Sequence, residues 1–298
     1  MKFQKIAILI TLFSLWLTNY FSGWGQEFLA FFLIFSVGIL HGSNDLSIMN
    51  KLQSVSGLRR LIMVLSLYVC IVLLAGALFY WLPEPALAGF ILFSAYHFGE
   101  QHWEDLITMR PKSFRMTYFL SYGMLILFLL FYTNVKDTQQ IITSLSGELI
   151  PESWFFYGLI VSSIAVSVCA IYLLIIRQID LGRMLFEAFL LLVFGIVFTY
   201  ANLIWAFAIY FIYWHSIPSI FGQLKYLYGE VSIRSFKQYL RSSSIIWAVS
   251  VGSMLLLFYF FRESQEIIMP LFFAFLGAIT FAHSFIITRM YGQKKPNE

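Results

Sequence analysis

Residues 188–224 read AFLLLVFGIVFTYANLIWAFAIYFIYWHSIPSIFGQL, without one Asp, Glu, Lys or Arg. At 1.5 Å per residue an unbroken helix of that length would run about 55 Å. A hydrocarbon core is only about 30 Å thick, so the chain must turn inside the stretch. A break at Tyr200-Ala201-Asn202 predicts two helices, over about 183–200 and 203–221.

The same logic extends in both directions. Uncharged runs recur at 6–26, 28–44, 61–83, 85–99, 116–135, 153–176, 242–261 and 267–288. Most fit one crossing of roughly 17–25 residues. The run 85–99 is short, with Glu100 and Glu104 at its interface end. Hydrophobic residues make up 60% of the chain and charged ones 11%, against about a quarter charged in soluble domains. Nothing alternates with period two, so the spans read as helices and not as a barrel. The expected fold is all-α: a polytopic transmembrane bundle of ten helices forming one domain over 1–298. The basic N-terminal segment lacks a small-x-small cleavage site and reads as an uncleaved first helix.

Basic residues test the count, because cytoplasmic loops collect Lys and Arg. With both termini cytoplasmic, one side receives Lys2, Lys5, Lys51, Arg59, Arg60, Arg110, Lys112, Arg115, Arg177 and Arg183. It also receives Lys225, Arg234, Lys237, Arg241, Arg289, Lys294 and Lys295. Only Lys136 and Arg262 fall outside, so 17 of the 19 basic residues share a side. Removing the break at Asn202 would send the 225–241 cluster to the other side. The modest positive charge thus follows from topology, and no nucleic-acid surface is implied. No G-x-x-x-x-G-K-[ST] or G-x-G-x-x-G motif is present, so no nucleotide or flavin domain is encoded.

The chain has five histidines: His41, His97, His102, His215 and His283. All fall toward the cytoplasmic ends of the second, fourth, eighth and tenth predicted helices, at similar depth. An imidazole in a span usually faces the bundle interior and marks a site or a path.

His41-Gly42-Ser43-Asn44-Asp45 is the first informative run. Asp45 shares a helix face with His41 if the helix continues, or it orients a ligand on a neighbouring helix, as carboxylates do for metal-bound His. In Tyr96-His97-Phe98-Gly99-Glu100-Gln101-His102, the two histidines are five apart, about 140° around a helix, so they do not face one centre. His97 lies deeper and is the ligand candidate; His102 is expected nearer water. Glu100 and Gln101 are candidate outer partners of His97. His215 precedes Pro218, whose ring clashes one turn back near Trp214, and Ser219 follows one turn later on the same face. His283 completes a set of four at one depth. Imidazoles from several helices suit Fe, Zn, Cu or Ni, and spacing alone does not choose among them.

These runs resemble the Brp/Blh family of bacterial membrane β-carotene 15,15′-dioxygenases, in the His-Gly-x-x-Asp run at His41–Asp45, the His-Phe-Gly run at His97–Gly99 and the aromatic helix carrying His215. The resemblance implies a non-haem Fe(2+) held by four histidines, with His41, His97 and His215 among them. Family members often carry another His at the position of Ser219; here His283 lies at the depth to substitute. It further implies β-carotene and O2 as substrates, two retinals as products, and residence in the lipid bilayer of a bacterial inner membrane. A rhodopsin accepting the retinal would be a partner. Tyr96, Tyr213 and Trp214 become candidate cavity walls. The competing readings are another metal-dependent lipid or carotenoid oxygenase, a haem or quinone electron-transfer protein, and a transporter.

Overall fold

Tyr200 ends one helix and Leu203 begins the next, at the break read from the sequence. Ala201 is extended there, and the Asn202 side chain accepts a hydrogen bond from Trp205 N at 2.9 Å, capping the new helix as short polar side chains do. The protein is seen in a computed structural model that describes residues 2–52, 58–107 and 111–293. Arg110, Lys294 and Lys295, used in the charge reading, lie outside the described residues.

Among those residues the chain is all helical, with no strand. The helices are α1 (Lys2–Thr18), α2 (Gly23–Leu33), α3 (Ile39–Gly42), α4 (Asp45–Leu52), α5 (Leu58–Trp81), α6 (Pro83–Trp103), α7 (Lys112–Thr133) and α8 (Val135–Ser146). They continue with α9 (Glu152–Ile175), α10 (Leu181–Tyr200), α11 (Leu203–Tyr210), α12 (Ile217–Tyr228), α13 (Ile233–Phe260) and α14 (Gln265–Gln293). Two π-helical stretches, Ile34–Gly38 and Phe211–Ser216, join α2 to α3 and α11 to α12.

Seven helical runs among the described residues are long and apolar enough to cross a membrane: Gly23–Leu52, Lys112–Thr133, Glu152–Ile175, Leu181–Tyr200, Leu203–Tyr228, Ile233–Phe260 and Ile268–Gln293. Of the ten crossings expected from the sequence, the other three fall on α1, α5 and α6. Apolar residues fill Phe3–Thr18 and Val69–Trp81, which are shorter. The second half of α6 carries His97, Glu100, Gln101 and His102, which lower its hydropathy. Outward faces carry bare Leu, Ile, Val and Phe, and Tyr20, Trp24, Tyr80, Trp81, Trp154, Tyr200 and Tyr259 stand exposed near helix ends. Such amphipathic rings favour the headgroup level.

The backbone divides into two compact units. The first comprises Met1–Ile34, Ser94–Gln140 and Leu149–Ser216. Its centre is α11, every residue of which is buried, as an all-apolar helix should be; α11 packs on α2, α7 and α10. Within it the C-terminal half of α6 lies close to α7: a Cβ at Gly99 would overlap the Phe119 carbonyl, and one at Gly123 the Ala95 carbonyl. The second unit comprises Phe35–Phe93, Ile141–Glu148 and Ile217–Glu298. There α14 packs along α4 and α5, and α13 against α3 and α12. Ile48, Ile286, Ile287, Met290 and Tyr291 form one apolar core of this unit.

Candidate functional site

In the second unit the helix of His41 is not continuous. After α2 it widens into the π stretch Ile34–Gly38, and the indole N–H of Trp247 on α13 donates to the carbonyls of Phe35 at 2.8 Å and Ser36 at 3.2 Å. An outside donor entering the ladder is a recognised cause of such a distortion. The helix then turns at Ser43-Asn44, so α4 starts afresh at Asp45. Asp45 is therefore not simply one turn further along the helix of His41. Its Oδ1 accepts from Nδ1 of His283, on α14, at 2.8 Å. Both groups are buried. The rings of His41 and His283 meet edge to face, centroids 4.7 Å apart, and each offers a ligand-capable nitrogen within 4.8 Å of the other's.

Hydrogen bonding selects the tautomers. His41 uses Nδ1 to donate to the Gly38 carbonyl, and His283 uses Nδ1 toward Asp45. In both rings the lone pair then sits on Nε2, the nitrogen that could serve as a metal ligand.

A second network, not read from the sequence, holds the backbone beneath His41. Gln223 Nε2 donates to the His41 carbonyl at 2.8 Å and to Ser219 Oγ at 3.1 Å. Tyr239 donates to Gln223 Oε1 at 2.9 Å, and Asn44 donates to the Tyr239 carbonyl at 3.0 Å. Ser219, fully buried on α12, is thus tied into the support of His41.

In the first unit, His97 and His215 form a similar pair. Their rings meet at 77° with centroids 4.8 Å apart, and both are buried. His215 is walled by Phe98 at 4.7 Å and stacked on Phe211 at 5.4 Å. It lies in the π stretch Phe211–Ser216. Pro218 has no N–H to return to the Trp214 carbonyl, so an α-helical ladder cannot close there. Gln101 secures the widened turn by donating to the His215 carbonyl at 2.6 Å.

The remaining predicted residues of this unit are distributed around the pair. Tyr96 donates to Glu100 Oε1 at 2.9 Å. Tyr213 lies 3.4 Å from Ser14, and the Trp214 indole donates to Thr11 at 2.9 Å, so both fasten α1. His102 points elsewhere than His97, as their spacing implied. It meets Glu187 of α10 at 2.9 Å and stacks on Tyr122. The side chain expected nearer water is instead largely enclosed. Glu187 stands just before the apolar run 188–224, and nothing in the sequence names His102 or Tyr122 as its partners.

Each unit thus buries an edge-to-face pair of imidazoles, and imidazole nitrogens are donors that suit a borderline cation such as iron. One member of the second unit's pair donates to a carboxylate and the other to a carbonyl, the outer hydrogen bonds that metal-bound His usually makes. Residues 32–291, most of the chain, match the model of a family described as Beta-carotene 15,15'-dioxygenase. No curated protein and no solved structure matches.

Proposed function

The chain belongs to the beta-carotene 15,15'-dioxygenase family, and on that premise we propose that it cleaves the central double bond of β-carotene with O2 to give two retinals. The observation that carries this reading is the pairing of four buried imidazoles, His41 with His283 and His97 with His215, in a chain built of apolar helices. We assign these four as ligands of one non-haem Fe(2+), with His283 taking the place of the ligand that Ser219 does not supply. Such a metal would bind and activate O2 at an open position.

The chain's own residues supply binding, orientation and exclusion of water. Asp45 and the Gly38 carbonyl hold His283 and His41 with Nε2 as the donor atom. Phe98 and Phe211 surround His215 with hydrocarbon, a surface suited to a polyene and poor for water. The products balance without an outside reductant: C40H56 and O2 give two C20H28O, each aldehyde taking one oxygen atom. The carotene would come from the lipid bilayer. We place the protein in a bacterial inner membrane, where a rhodopsin is the expected acceptor of retinal.

Expression in β-carotene-producing bacterial cells tests the reading. Loss of the yellow pigment with retinal in the extract is expected, and His41→Ala should abolish both, a loss of at least about 100-fold. Unchanged carotene in cells holding membrane-inserted, iron-loaded protein would reject it. Bleaching with shorter or longer apocarotenals would move the cut to another bond.

A further inference from the structure

The first unit buries a second polar cluster that the reading above does not use. Glu187, on α10, is 5% exposed. Its Oε2 meets His102 Nε2 at 2.9 Å and accepts from Tyr122 Oη at 2.9 Å; its Oε1 meets Arg183, one turn earlier, at 2.5 Å. Arg183 also lies over the Trp103 ring at 5.3 Å, and Trp103 packs on Tyr118 and Tyr122 of α7. A buried carboxylate is costly to desolvate even when paired, and an apolar packing of equal volume is often no less stable. Such groups are best attested as devices that fix register.

What this register would fix lies one to two turns back along α6. His97 precedes His102 by five residues, about 7.5 Å along the axis. Between them, Gly99 admits the α7 backbone, and Gln101 donates to the carbonyl of His215. At the far end, Glu104 pairs with Arg115 of α7. The turn after His97 is therefore held by α7, by α10 and by the π stretch that carries His215.

We propose that Glu187 is a positioning residue: through His102 and Tyr122 it sets the rotation of α6 and so holds the His97 ring against His215. The inference rests on His97 being a metal ligand, as assigned above. Lipid packing alone would leave α6 able to rotate about its axis. The His102–Glu187 bond removes that freedom, and Tyr122 of α7 and Arg183 of α10 fix the carboxylate that receives it.

Full-length protein in detergent, titrated with Co(II), tests it through affinity and the visible absorption spectrum. Glu187→Ala is expected to weaken Co(II) binding about 10- to 100-fold and to change the spectrum. Glu187→Gln, which keeps an oxygen acceptor for Tyr122 and His102, should recover most of both. Should Glu187→Ala fail to insert, His102→Ala carries the test, with the same loss expected. Wild-type affinity and spectrum in these alanine variants, with or without a lower thermal midpoint, would overturn the inference. So would a Glu187→Gln protein no better than alanine, which would assign the effect to charge. His97→Ala runs in parallel. If it retains the wild-type spectrum, the ligand assignment and this inference both fall; if it loses Co(II) while Glu187→Ala does not, only this inference falls.

Discussion

Asp45 shows how much one side chain carries. It begins α4 after a two-residue turn, and its carboxylate accepts from Nδ1 of His283. The sequence offered two partners for it, and the turn at Ser43-Asn44 decides the geometry; nothing in the five-residue motif announced that turn. Replacing Asp45 by Ala should lower iron affinity about 10- to 100-fold, read as iron per chain after dialysis against a weak chelator. Asp45→Asn keeps an oxygen acceptor and should retain iron, with the Fe(III)/Fe(II) potential raised because a negative charge beside the site is gone. Equal iron content in wild type and Asp45→Ala would remove this residue from the site. Glu187 lies at the other extreme of legibility. It borders an apolar run and has one local partner, Arg183, a turn earlier, but His102 and Tyr122 come from α6 and α7, and no local pattern could identify them.

Among the elements, the break before Leu203 was readable because length and charge both demanded it. The π stretches were readable only in part. Pro218 pointed to a distortion near Trp214, and the structure has one over Phe211–Ser216. The stretch Ile34–Gly38 has its outside donor in Trp247, on a helix some two hundred residues away, and no window of sequence contains both. Pro218→Ala should let the α-helical ladder close and swing His215 out of its aromatic walls. Proline inside a helix costs about 3 kcal/mol, so the variant is expected to keep or raise its thermal midpoint while losing most of its iron. A variant that keeps its iron would detach the proline from the site.

For the whole molecule, composition identifies the solvent: many large hydrophobic side chains stand exposed among the described residues, with Tyr and Trp near helix ends. The four-histidine assignment is also a statement about stoichiometry. One iron per chain is expected, and removing any one of His41, His97, His215 or His283 should cost the same single ion. Two ions per chain, with half retained in each single variant, would indicate two separate sites. Metal removal should also lower stability by mass action, about 2.7 kcal/mol relative to protein held at one hundred times the dissociation constant. Thermal melts with and without a chelator read that difference, and coincident curves would speak against an iron bound by the folded state alone.

The π stretch beneath His41 has a further consequence. A π turn is an α turn with one residue too many. Deleting one residue between Ile34 and Gly38 would remove that surplus and let an ordinary helix form with α2 and α3 close to their present relative orientation, because the wide turn absorbs the roughly 100° that one extra residue adds. A single lost codon in this segment would therefore disturb the aim of His41 less than the same loss in the α-helix before it, where nothing absorbs the missing residue and His41 would swing by about 100°.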